Sequence, residues 1–144
     1  MGFKIRMLTL ADYSKIVKLW EDSGLESRPR GRDSKKAIEA QMKENPEYFI
    51  GAFEGPQLVG IVIVSEDGRK GWINRLAVDP GHRRKGIAKA LVAEAEKVLS
   101  EKGIKIFSAL IMDHNRGSKE LFRNLGYKEL EYVKYFSKKE SEEV

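Results

Sequence analysis

One stretch limits the fold more than any other. Between Trp72 and Met112 the chain reads as a strand, a long amphipathic helix and a second strand. Ile87, Leu91, Ala95, Val98 and Leu99 recur at helical spacing, and Gly103 closes the helix. Two strands joined through such a helix become parallel neighbours by a right-handed crossover. The segment upstream has a different rhythm. Tyr48–Glu54 turns at Gly55-Pro56 into Leu58–Ser65, a β-branched run suited to a buried central strand. Glu66-Asp67-Gly68 then turns the chain into Trp72–Val78. That part is an antiparallel meander.

Two helices precede the meander. Phe3–Leu8 is a short strand, and Thr9 with Asp12 forms a capping box for a helix carrying Tyr13, Ile16, Val17 and Trp20. Gly24 ends it. After the basic loop Glu26–Arg32, Asp33 or Ser34 caps a second helix with Ile38 and Met42, stopped at Asn45-Pro46. Near the end, Leu121 and Leu125 mark a short helix, and Tyr127–Ser137 supplies a last strand or hairpin. The expected fold class is α/β of the α+β type: a mixed, mostly antiparallel sheet flanked by helices. The sheet splits between the strand ending at Val78 and the one starting near Ile104. A chain of 144 residues fits one domain, with Lys138–Val144 as a charged, fraying tail.

Composition removes some alternatives. There is no cysteine, hence no disulfide, thiolate metal site or thiol nucleophile. His82 and His114 stand far apart, and no metal is expected. No apolar run reaches membrane-spanning length, so the expected location is the cytoplasm, with no membrane partner. Net charge is +5, from 27 Lys+Arg against 22 Asp+Glu. A surplus of that size leaves a nucleic-acid-binding module as a weak alternative, because no such motif is present and one anion site absorbs the basic cluster.

That site is the segment Leu76-Ala77-Val78-Asp79-Pro80-Gly81-His82-Arg83-Arg84-Lys85-Gly86-Ile87-Ala88. A strand ends at Val78, and three consecutive cations lead into Gly86 at a helix start. A helix N-terminus offers unpaired N–H groups and about half a positive charge. Gly86 and Ala88 let a bulky anion approach the backbone. These features describe a pyrophosphate site. It is not a Walker A loop, since Ile87 stands where that pattern needs Lys. The Gly-x-Gly-x-x-Gly dinucleotide pattern is absent as well.

Arg83, Gly86 and Ala88 behind Val78-Asp79-Pro80 resemble motif A of the GCN5-related N-acetyltransferase family. Asn115, followed by a helix and Leu125-Gly126-Tyr127, resembles the family's second signature. The resemblance runs from Phe3 to about Ser137. It implies the acyl-CoA N-acyltransferase fold, with splayed central parallel strands, and acetyl-CoA as cosubstrate. Backbone groups of Leu76, Ala77 and Val78 would pair with the pantetheine arm. Backbone N–H groups from Arg84 through Lys85, Gly86, Ile87, Ala88 and Lys89, with Arg83 at the rim, would hold the pyrophosphate. Asn115 would hydrogen-bond the cofactor arm. The implied reaction is direct acetyl transfer to a primary amine of a small molecule or peptide, in a ternary complex. A homodimer is compatible with such a domain.

The usual acid and base do not carry over. Phe122 stands where many relatives have Tyr, Asn74 where many have Glu, and Leu110 at another common Glu position. Water could protonate the leaving thiolate, or Tyr127, Tyr132 or Tyr135 could substitute, although Tyr127 after Gly126 reads as a core residue. The catalytic residues are therefore unassigned, and a non-catalytic acyl-CoA-binding domain is the alternative. Near the first helix's end, Glu21 and Asp22 read as surface charge or as an amine-binding pair. Arg28, Arg30 and Arg32 read as a mobile basic loop or as recognition of an anionic acceptor.

Overall fold

The computed structural model describes residues 2–144 and shows a five-stranded sheet in the order β1-β2-β3-β4-β5. The strands are β1 (Lys4–Met7), β2 (Phe49–Glu54), β3 (Gln57–Glu66), β4 (Lys70–Val78) and β5 (Ile106–Ser108). Four α-helices accompany them: α1 (Tyr13–Ser23), α2 (Lys35–Glu44), α3 (Ile87–Glu101) and α4 (Arg116–Asn124). Pairing is antiparallel through β4, whereas β5 runs parallel to β4, as the crossover through α3 requires.

β3 is the centre of the core. Every residue from Leu58 to Val64 is buried, so both faces of the strand are covered, and α1 and α3 both pack on it. Gly60 sets how close α3 can come. A Cβ at that position would lie 2.7 Å from Ile87 Cγ2 and 2.9 Å from Leu91 Cδ1. The missing side chain lets the first turn of α3 settle directly on β3, beside the end of β4.

Two expected elements are corrected. The strand expected over Ile104–Met112 is only Ile106–Ser108. β5 pairs with Lys70–Trp72 and with no later residue of β4. Past Ser108 the chain has no ladder partner, and Leu110 and Met112 stand exposed. The strand or hairpin expected over Tyr127–Ser137 does not form, and Leu130, Tyr132, Val133, Tyr135 and Phe136 lie in solvent. Alternating apolar residues make a strand only where a neighbour completes the hydrogen bonds. On α4, Phe122 rather than Leu121 or Leu125 is the buried residue. Ser34 caps α2, accepting the Ala37 N–H at 3.1 Å, while Asp33 turns inward and accepts the Arg28 N–H at 2.6 Å.

The N-terminal turn contains the fold's clearest buried carboxylate. Asp12 accepts the Thr9 N–H at 2.9 Å and pairs with the Arg6 guanidinium through both oxygens, at 3.0 and 3.1 Å. Arg6 first, and the Thr9 amide after it, hold the Asp12 carboxyl below its ordinary range despite burial. A depressed folded pKa stabilises the fold above the unfolded carboxylate value, near pH ~4, and the contribution disappears as pH falls through the lower folded value. Asp12→Asn is therefore expected to cost about 1–2 kcal/mol at neutral pH, with the deficit shrinking below pH ~4. Urea unfolding of both proteins at the two pH values checks this.

Candidate active site

β4 is irregular where it approaches the site. Its pairing with β3 runs Ile61 to Ala77 and then Ile63 to Asn74, so one β3 residue faces two on β4. The extra residue makes a bulge, in which Arg75 adopts φ 55°, the left-handed region that a side chain disfavours. Its surroundings hold it there. The Arg75 guanidinium lies 4.2 Å from the Trp20 ring centre, donates to the Glu26 carbonyl at 2.6 Å, and reaches Asp33 Oδ2 at 3.4 Å. Burial of the guanidinium pushes its pKa down, opposed by the Asp33 carboxylate.

Beyond the bulge, β4 has a free edge. Because β5 stops pairing at Trp72, alternate N–H and C=O groups from Ile73 to Val78 face open space. That space is a cleft of about 550 Å³. Leu76, Ala77 and Val78 form one wall, and Asn115, Gly117, Ser118 and Leu121 of α4 form the other. Its floor is the turn into α3, and Ser23 and Leu25, at the end of α1, complete the lining.

The floor is a set of main-chain donors. Asp79 shapes the turn, accepting the Gly81 N–H at 3.1 Å and bonding His82 Nδ1 at 2.8 Å. Arg84 at φ 65° and Gly86 at φ 82° both take the left-handed conformation. Successive N–H groups in such a turn gather on one side and form an anion-binding hollow. Gly86 is the N-cap of α3 and has no side chain to offer its first turn. The first helical bond is Ala90 N–H to the Gly86 carbonyl at 3.0 Å, which leaves the N–H groups of Ile87, Ala88 and Lys89 without intrahelical partners. Asn115 caps α4 with its Oδ1, 3.0 Å from the Ser118 nitrogen, so its amide NH₂ remains to donate. Unpaired N–H donors at the positive end of a helix suit a phosphate-bearing ligand.

Ten of the eleven residues expected to bind a cofactor line this cleft: Leu76, Ala77, Val78, Arg83, Arg84, Gly86, Ile87, Ala88, Lys89 and Asn115. Lys85 is the exception, and its ammonium turns toward Glu54, 3.9 Å away. His82 lies in the same turn, with its ring between Asp79 and Glu54. Sequence reasoning missed Glu54, Ser23, Leu25 and Ser118. Only Ser118 had a local signal, at the third position after the helix-capping Asn115.

None of Tyr127, Tyr132 and Tyr135 lines the cleft. Phe122 is buried, edge-on to Tyr127 with ring centres 4.9 Å apart. The Tyr127 hydroxyl bonds Glu96 at 2.6 Å, and burial together with that carboxylate drives its pKa far up. Tyr132 and Tyr135 are exposed. Asn74 donates to Ser65 Oγ at 3.1 Å. Asp22 pairs with Lys18 at 2.9 Å on the surface of α1. Among the described residues, no group of three His, Asp or Glu is placed to hold a metal ion, and no helix is long and apolar enough to cross a membrane.

Residues 13–127 match the sequence model of the Acetyltransferase (GNAT) family. An acetyltransferase of Yersinia enterocolitica is 30% identical over 124 residues, 86% of each chain. A solved PaiA N-acetyltransferase from Thermoplasma acidophilum, in complex with coenzyme A, superposes with a TM-score of 0.77 at 25% identity, covering 89% of this chain and 91% of that one. AAC(6')-Iy, in complex with the bisubstrate analogue CoA-S-monomethyl-acetylneamine, shares the fold with a TM-score of 0.78 at 17% identity, over 96% and 99% of the two chains.

Proposed function

The chain belongs to the acetyltransferase (GNAT) family, and on that premise we propose that it moves an acetyl group from acetyl-CoA, bound along β4 and over the start of α3, to a primary amine. The observation that carries this reading is the row of unpartnered main-chain donors from Arg84 to Lys89 at the floor of a cleft of about 550 Å³. The coenzyme A bound to the Thermoplasma relative supports the choice of ligand. Leu76, Ala77 and Val78 present a free strand edge to the pantetheine arm. The amide NH₂ of Asn115 meets the arm from the opposite wall. Arg83 and Arg84 sit at the rim as counter-charges.

Acetyl-CoA supplies a thioester whose carbonyl carbon the neutral amine attacks, so that a C–N bond forms, the C–S bond breaks and the amine gives up one proton to water. With Tyr127 committed to Glu96 and Phe122 in the acid position, the departing thiolate takes its proton from water. The amine enters past Ser23 and Leu25, which line the cleft at the end of α1. Small-molecule amines and peptide amines are both within this acceptor class.

Residues 1–144 act as one domain in this reading, and the working form is a homodimer. Support for the dimer is the exposed apolar residues between Leu130 and Phe136, together with the unpaired outer edge of β5. Sedimentation velocity tests it, with Phe136→Asp expected to shift a dimer toward monomer.

Calorimetry with acetyl-CoA is expected to give micromolar binding, about −8 kcal/mol. Thiol release in the presence of a panel of amines and peptides then identifies the acceptor. Absence of binding to the folded chain would overturn the donor site, and binding without thiol release from any primary amine would overturn the acceptor class.

A further inference from the structure

The loop between α1 and α2 is a tied turn rather than a mobile basic segment. Gly31 and Asp33 both donate their N–H to the Arg28 carbonyl, at 2.9 and 3.0 Å, and the buried Asp33 carboxylate accepts the Arg28 N–H. Arg75 fastens the loop to the β4 bulge through the Glu26 carbonyl. Arg28 folds back onto Glu26, and the turn exposes Pro29, Arg30 and Arg32, with Gly31 half-buried between the two arginines.

Arg30, Gly31 and Arg32 all contact one other segment of the chain, the acidic tail. Arg32 donates to the Val144 main-chain oxygen at 2.6 Å, and the Arg30 guanidinium lies 3.7 Å from Glu143 Oε1. Gly31 lies under the tail backbone: a Cβ there would overlap the Glu143 carbonyl oxygen and come within 2.7 Å of Val144 Cα. Gly31 is not among the glycines with positive φ, so the turn itself does not require glycine at this position. What requires it is the close passage of another main chain.

From this geometry we propose that Arg30-Gly31-Arg32 is a binding cradle for an extended acidic peptide, filled in this structure by the chain's own residues Glu143 and Val144. The bare glycine admits a peptide backbone. The two arginines on either side take a main-chain oxygen and a carboxylate, the pairing for which guanidinium is suited. The same loop begins at Leu25, which with Ser23 lines the cleft. A peptide lying on the cradle in trans would lead into the cleft at that point. This step rests on the reading that the amine enters there, and it makes the preferred acceptor a peptide amine near acidic residues. The tail Glu140-Ser141-Glu142-Glu143-Val144 then competes for the same seat.

Fluorescence anisotropy with a labelled Lys-Glu-Ser-Glu-Glu-Val peptide tests the cradle on the full-length chain. In a Glu142→Lys/Glu143→Lys chain, whose own tail is repelled by Arg30 and Arg32, the peptide is expected to bind at least about tenfold more tightly than to the wild type. Adding Gly31→Ala, or Arg30→Ser with Arg32→Ser, is expected to abolish that binding, as is replacing the peptide's Glu residues by Gln. Equal binding with and without Gly31→Ala overturns the cradle, and so does no binding to any of these proteins. Tryptic cleavage after Lys138 and Lys139 reads the tail's own seat. Gly31→Ala should accelerate it, and an unchanged rate overturns the contact within the chain. Acetyl-CoA calorimetry on the same proteins separates the failures. Donor binding without peptide binding overturns the cradle alone, whereas peptide binding without donor binding overturns the donor site and leaves the cradle standing.

Discussion

Gly86→Glu is expected to lower acetyl-CoA affinity by at least about a hundredfold, roughly 2.7 kcal/mol, while the protein remains folded. Two effects combine. Gly86 sits at φ 82°, where a residue with a side chain pays about 1–2 kcal/mol. The new carboxylate also enters the region of the α3 N-terminus, where it takes up donors and repels a pyrophosphate. The fold should tolerate the change, because a Cβ at Gly86 meets no atom within 4 Å. Gly86→Ala isolates the backbone strain and should lose about tenfold or less. Calorimetry measures both variants. Thermal unfolding gives a second readout, since saturating acetyl-CoA should raise the wild-type midpoint and leave that of Gly86→Glu unchanged. Wild-type affinity in Gly86→Glu would place the donor elsewhere than over α3.

The largest expected loss of stability is at Trp20. Its side chain is 0% exposed, and it occupies the contact between α1 and the sheet. Trp20→Ala should cost about 3–5 kcal/mol, a large part of the roughly 5–15 kcal/mol that holds a domain together. The cavity is only part of the effect. Arg75 loses the ring on which its guanidinium rests, and a half-buried cation without that support is costly. Trp20→Phe keeps an aromatic face and should recover most of the loss. Denaturant midpoints rank the three proteins, and a Trp20→Ala deficit below about 1 kcal/mol would contradict the packing described here.

The segments legible in the sequence are those whose cause is local. The spacing of Ile87, Leu91, Ala95, Val98 and Leu99, together with Gly103, marks α3 with its core face, and of the five only Val98 is partly rather than fully buried. The β-branched run of β3 reads as central because it is apolar on both faces, and it is buried from Leu58 to Val64, with Ser65 already exposed. The turn into α3 stood out as a candidate anion site because three cations followed by Gly86 at a helix start have few other uses, and apart from Lys85 these residues do line one cleft. Features that depend on distant partners were not. β5 ends early because β4 diverges from it, and nothing within Ile104–Met112 signals that divergence. Tyr127–Ser137 has the alternation of a strand but no neighbour to pair with. Arg75 reads as an ordinary strand residue. Its left-handed backbone comes from the bulge opposite β3 and from Trp20, Glu26 and Asp33, which lie far away in sequence. Lys85 belongs to the cationic triplet by sequence, yet Glu54 on β2 draws it away.

The one-sided pairing of β4 has a consequence for how the molecule behaves in time. From Ile73 to Val78 the strand is bonded to β3 on one edge and bare on the other. Amide protons facing β3 should exchange with solvent only when the sheet opens, whereas those facing the cleft should exchange rapidly, giving an alternating pattern along a single strand. A ligand arm laid along that edge would complete the ladder and slow the fast set alone. Deuterium uptake along β4 would therefore record occupancy of the cleft residue by residue, before any chemistry takes place.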